Sequence, residues 1–122
     1  MLYTTINVGD KEYKARLNAK ACVELEKKLG TNPLNIFVKM LGTGDSINLP
    51  SLGDLIAILH ASLQAYHHGI SVDKAYEIYD AFVNEGHNIM DLVAIVGEIY
   101  KVSGLMPEEV EENDKEIAPK NA

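Results

Sequence analysis

The side chains able to do chemistry are His60, His67, His68, His87, Cys22 and a surplus of carboxylates. A metal pair on a helix needs ligands three or four residues apart, so that both project from one face. His60 and His67 are seven positions apart, with no carboxylate ligand placed between them. His67 and His68 fall at an expected helix end, where imidazole sits comfortably beside the last carbonyls. This pattern predicts no metal site. Cys22 shares an apolar stripe with Leu25 and Leu29, where a thiol acts as a small hydrophobe and not as a nucleophile. Gly42-Thr43-Gly44 lacks the third glycine and the strand–loop–helix setting of a dinucleotide site, and no Walker-type lysine follows it. Acid–base catalysis needs carboxylates paired in a pocket with separated pKa values. Glu24, Glu26, Asp54, Asp73, Glu77, Asp80 and Asp91 mostly fall opposite the apolar stripes or near helix N-termini, where solvation and the helix dipole account for them. The expectation is a protein with no catalytic residue, no cofactor and no metal, one that works by binding other proteins.

The elements that position these residues can be read in chain order. Residues 2–17 predict a β-hairpin with Gly9-Asp10 as a two-residue loop, and glycine in first place suits a type II′ turn. That loop sets the register: Val8 faces Lys11, Ile6 faces Tyr13, Thr4 faces Ala15 and Leu2 faces Leu17. These pairs share one mostly apolar side, while Tyr3, Thr5, Asn7, Glu12, Lys14 and Arg16 share a mostly polar one. A helix over residues 18–29 follows, capped by Asn18 and closed by Gly30, with Cys22, Leu25 and Leu29 as its stripe. Asn32-Pro33 opens a short helix over 33–41, with Leu34, Phe37, Val38 and Leu41 pointing inward. Residues 42–50 have loop composition.

Three amphipathic helices come next, over about 51–67, 71–85 and 88–103. Ser51 and Ser71 are candidate caps for the first two. Their expected stripes are Leu52, Leu55, Ile56, Leu59, Leu63 and Tyr66, then Val72, Ala75, Tyr76, Tyr79, Phe82 and Val83. The third carries Ile89, Leu92, Val93, Val96, Ile99 and Tyr100, and Gly104 and Pro107 stop it. The class is α+β, mostly α: an N-terminal β-hairpin packed on four to five helices in one domain, residues 1–106. Residues 107–122 are too charged to fold alone and read as a disordered, mobile acidic tail. No internal repeat is evident.

Three positions are candidates for a protein interface. Tyr3 lies on the polar side of the hairpin, where an exposed aromatic can anchor a partner; it can equally pack across the strands on Arg16. Ile78 and Ile95 lie off the main stripes and add apolar surface beyond what the core needs.

Bulk properties bound the rest. The chain has 122 residues, 47% of them hydrophobic, and a single cysteine. That suits one domain with a real core and no internal disulfide, in a reducing compartment. The N-terminus shows no basic segment followed by an apolar stretch, so no signal peptide is expected. The longest apolar run is too short and interrupted to span a bilayer. Net charge is −7, which repels phosphate backbones. The basic residues Lys11, Lys14, Arg16, Lys20, Lys27 and Lys28 are interleaved with Glu12, Glu24 and Glu26, as on an ordinary solvated face. Neither nucleic acid nor membrane is an expected partner.

The hairpin is followed by Leu-x-Ala-x-Ala-x-x-x-Leu-Glu-x-x-Leu-Gly at residues 17–30, Asn-Pro-Leu at 32–34, Gly-Ile-Ser-Val-Asp-Lys-Ala-Tyr at 69–76 and Asp-Leu-Val-Ala-Ile-Val-Gly-Glu-Ile-Tyr at 91–100. Over residues 1–105 this order and pattern resemble the tail assembly chaperones of long-tailed phages and prophages of Gram-positive bacteria. The resemblance implies a non-enzymatic protein of the host bacterial cytoplasm, absent from the mature virion. Its partners would be the long helical tape measure protein and the tail tube protein, with self-association possible. A chaperone for an amphipathic helical client needs apolar grooves or exposed stripes. The competing class is a small helical regulatory or DNA-associated protein of a mobile element. The helix over 72–83 sets Asp73, Glu77 and Asp80 against the single Lys74, which disfavours a recognition helix.

The resemblance also implies a longer second product made by ribosomal frameshifting near the end of the short form. A −1 slip needs a heptamer on which both tRNAs re-pair one base back. Pro119, Lys120 and Asn121 permit one, because CCA AAA AAC contains A AAA AAC. Reading the gene tests the site: codons 119–121 should form a slippery heptamer followed by an open −1 frame. Other codons there, or a −1 frame that closes at once, exclude it.

Overall fold

The computed structural model describes residues 2–41 and 49–107. The hairpin forms as the turn dictates. Strand β1 (Thr4–Val8) pairs antiparallel with β2 (Lys11–Ala15), with Val8 opposite Lys11, Ile6 opposite Tyr13 and Thr4 opposite Ala15. Gly9 sits at φ 62°, and no non-glycine among the described residues has positive φ. That combination is the one a type II′ loop requires. Ile6, Val8 and Ala15 are buried, while Asn7, Glu12 and Lys14 are exposed.

The expected Leu2–Leu17 pair does not form. The ladder ends at Thr4–Ala15, and Leu2 is 68% exposed while Leu17 is 3% exposed. The backbone explains the difference. Arg16 N–H donates to the Ser62 carbonyl (2.8 Å), and Leu17 N–H donates to Ser103 Oγ (2.8 Å). The chain after Ala15 bonds to helices and no longer to β1, so Leu2 has no cross-strand partner.

Local chemistry sets the helix ends. Helix α1 (Ala19–Leu29) begins with the Asn18 side chain accepting from Ala21 N–H, and ends at Gly30, φ 74°. Helix α2 (Asn35–Leu41) starts two residues later than expected, behind a buried Pro33. Ser51 caps α3 (Leu52–Leu63) and Ser71 caps α4 (Val72–Asn84). Asn88 and Asp91 form a reciprocal capping box on α5 (Ile89–Val102), which satisfies two otherwise orphan amides. Helix α3 stops at Leu63 and not near residue 67. There Gln64 Nε2 donates to the His60 and Ile70 carbonyls, and Gly69 N–H donates to Gln64 Oε1, folding the chain into a turn. Residues 42–48 of the expected 42–50 loop, and the expected tail beyond Pro107 with Pro119, Lys120 and Asn121, lie outside the described residues. Among the described residues, no helix is long and apolar enough to cross a membrane.

Helix α3 is the centre. It packs against α1, α4, α5 and β2, and buries Leu55, Ile56, Ile58, Leu59 and Leu63. Several residues expected in the core are not there: Val38 is 62% exposed, Tyr76 49%, and Leu52 and Tyr66 41% each. Among residues 35–39 of α2 the buried position is Ile36, the side chain of the expected inward Leu41 lying outside the described ones; in α1 the buried pair is Ala21 and Leu25, with Cys22 and Leu29 half-buried at its edge. The expected stripes rest on helical spacing alone, whereas burial follows the arc that meets a neighbour.

The hairpin is pinned at both ends. At its tip, Gly9 N–H donates to a Glu85 carboxylate oxygen just past α4. At its base, Arg16 Nη1 donates to the Leu2 carbonyl (2.9 Å) and the Val102 carbonyl (3.0 Å), and Ser103 Oγ donates to Ile99 O. The guanidinium therefore meets the negative end of α5. Ile6→Asp places a charge in this core and should destabilise by roughly 3 kcal/mol or more; an unchanged melting temperature would show the hairpin to be dispensable. Arg16→Ala removes charge-assisted bonds and should cost about 1–2 kcal/mol, read as a clear drop in melting temperature that Arg16→Lys only partly restores.

Candidate interaction surface

The histidines come to rest at separate places, each described contact serving the fold. His60 Nε2 lies 2.9 Å from the Ile70 carbonyl, inside the α3 exit turn. His67 Nε2 accepts the Lys14 N–H (3.1 Å), so the neutral ring carries its proton on Nδ1, and its edge meets Tyr13 at 5.4 Å. His87 stacks on Phe82 (4.2 Å, 11°) and lies 3.2 Å from Asp91 Oδ2. Among the described residues, no three of His, Cys, Asp and Glu stand close enough together to hold a metal ion.

Cys22 is half-buried, and burial together with the Glu26 carboxylate pushes its thiol up, away from the nucleophilic thiolate. Tyr100 is fully buried and donates its hydroxyl to the Pro33 carbonyl (2.9 Å), with Phe37 edge-on at 5.3 Å. Burial, then Cys22 and Asp54, push its phenol above the usual range. The sequence placed Tyr100 on a stripe; its tie between α5 and the entry to α2 has no local signal.

Of the three candidate interface residues, two are half-buried and one is in the core. The Tyr3 ring is half-buried and meets Tyr66 edge-on at 5.3 Å, with Lys14 Nζ 4.9 Å above it and 5.9 Å from the Tyr66 ring. Arg16 instead turns to the Leu2 and Val102 carbonyls. Ile78 is 3% exposed and belongs to the core, which corrects its reading as free surface. It sits on the arc of α4 that faces α3 and β1. Ile95 is half-buried and packs against the core.

The free apolar surface on α4 is a different row. Val72 is 38% exposed, Tyr76 49% and Val83 40%. At about 100° per residue these three fall within about 40° of the helix circumference. Half-buried Tyr79 lies in the same row and leans on Phe82. The buried arc of Ala75, Ile78 and Phe82 lies to one side of the row, and exposed Asp73, Glu77 and Asp80 lie to the other. Among the described residues, apolar side chains thus cover more of α4 than α3 and β1 bury. That breadth is visible in the sequence, where Val72, Ala75, Tyr76, Tyr79, Phe82 and Val83 form one wide stripe. The geometry suits docking of a second apolar surface onto a rigid helix.

No curated protein and no solved structure matches the chain. A protein family described as a family of unknown function, DUF6096, matches residues 2–118. With nearly the whole length matched, the chain belongs to the DUF6096 family.

Proposed function

We propose that this protein is a non-catalytic tail assembly chaperone of long-tailed phages and prophages of Gram-positive bacteria. It covers the tape measure protein during tail assembly, helps recruit the tail tube protein, acts in the host cytoplasm and is left out of the mature virion. The observation that carries this reading is the open apolar row of α4, on a chain of net charge −7. The resemblance in element order over residues 1–105 supports it. A long amphipathic client exposes apolar stripes until it is packed, and such stripes aggregate unless covered. Val72, Tyr76 and Val83 offer cover from a helix already held by α3 and β1, so little ordering entropy opposes binding. The chain's net charge of −7 favours solubility of the complex and opposes nucleic-acid binding.

Co-expression with the tape measure protein of the same genome should keep that protein soluble and recover both together. Duplex DNA should not bind at physiological salt. Failure to recover the tape measure protein, or tight DNA binding, would overturn the reading.

A further inference from the structure

We infer that the occupant of the α4 row is an amphipathic helix of the client with Lys or Arg along one edge of its apolar face, and not a second copy of this chain. This rests on the chaperone reading and names the surface and the client chemistry within it.

Charge complementarity carries the inference. The row of Val72, Tyr76 and Val83 has an acidic border on its open side, formed by Asp73, Glu77 and Asp80, all exposed. The only basic residue of α4 is Lys74. At about 100° per residue, Lys74 falls roughly opposite the row, on the side of the helix that carries Ile78 and Ala81. Lys74 lines the groove between α4 and the hairpin tip together with Gly9, Asp10 and Lys11. Glu77 lines the same groove, with Lys74 Nζ 3.7 Å from its carboxylate. With Lys74 turned away toward Glu77, a helix laid on the row meets Asp73 and Asp80 along its free edge. Lys or Arg on that edge would reach them while their stems lie over apolar surface. An antiparallel pair of two copies would bring both acidic borders to the same side of the interface, on a chain whose net charge is already −7.

The exposed positions of the row allow substitution without opening the core. Overlapping peptides of the tape measure protein, titrated against the full chain, should bind where they are amphipathic with a basic edge. Tyr76→Ala with Val83→Ala should weaken binding about tenfold or more while leaving the melting temperature nearly unchanged, and Val38→Ala, on α2, should leave binding as it is. Asp73→Lys with Asp80→Lys should weaken the same peptides and regain affinity for peptides whose basic edge is changed to Glu. If peptides or the full-length tape measure protein bind both α4 variants as they bind the unaltered chain, docking lies elsewhere; the chaperone reading then survives and this inference falls. A dimer that Tyr76→Ala with Val83→Ala converts to monomer would make a second copy the occupant and overturn it. If neither the peptides nor the intact tape measure protein bind the unaltered chain, the chaperone reading itself fails.

Discussion

A two-stranded hairpin cannot hold itself together in water, so this domain depends on where β2 hands its backbone over to the helices. The amide of Arg16 goes to the last turn of α3, the amide of Leu17 to Ser103, and the Arg16 guanidinium to the carbonyls of Leu2 and Val102. Within two residues the chain ties its N-terminal strand to the ends of two helices that lie far along the sequence. Two of these acceptors, the Ser62 and Val102 carbonyls, lie in the last turns of α3 and α5, where the helix itself supplies no amide. Ser62, fully buried, donates its hydroxyl to Leu59 O while its carbonyl accepts from Arg16. Among the described residues, no buried side-chain nitrogen or oxygen is left without a hydrogen-bond partner.

With the hairpin fixed in this way, the helices divide into unequal roles. Helix α3 is surrounded, and it shares the largest part of the core with α5. Helix α4 lies at the side, touching α3 and β1, and keeps one apolar row free. The Glu85 contact to Gly9 secures its far end. The free row is therefore presented by a braced helix and not by a loop. Its exposed apolar surface is a solubility liability that the acidic border and the net charge offset.

The imidazoles and the hydroxyl of Tyr100 join segments of chain. His67 accepts a strand amide from β2, His60 closes the α3 exit turn, and Tyr100 links α5 to Pro33. In each of these contacts the imidazole or hydroxyl meets a backbone group, a demand that packing alone creates.

Where near neighbours decide the outcome, the sequence was sufficient. Gly9-Asp10 set the strand register because a two-residue loop leaves no freedom to slip. Asn18, Ser51 and Ser71 marked helix starts because each accepts from an amide three residues on. The alternation of Ile6 and Val8 with Asn7 marked the buried face of the strand for the same local reason. Other choices required partners from elsewhere in the chain. Nothing within α4 says that Ala75 and Ile78 face inward while Tyr76 faces out, since Ala75 and Tyr76 share the expected stripe and Ile78 lies off it. Contact with α3 and β1 selects the arc that is buried. Leu2 lost its expected place because the amides beyond Ala15 found better acceptors on α3 and at Ser103. Sequence period and capping chemistry determine which segments become strands and helices; burial is shared by two surfaces, so only their meeting decided which side chains form the core and which row stays open.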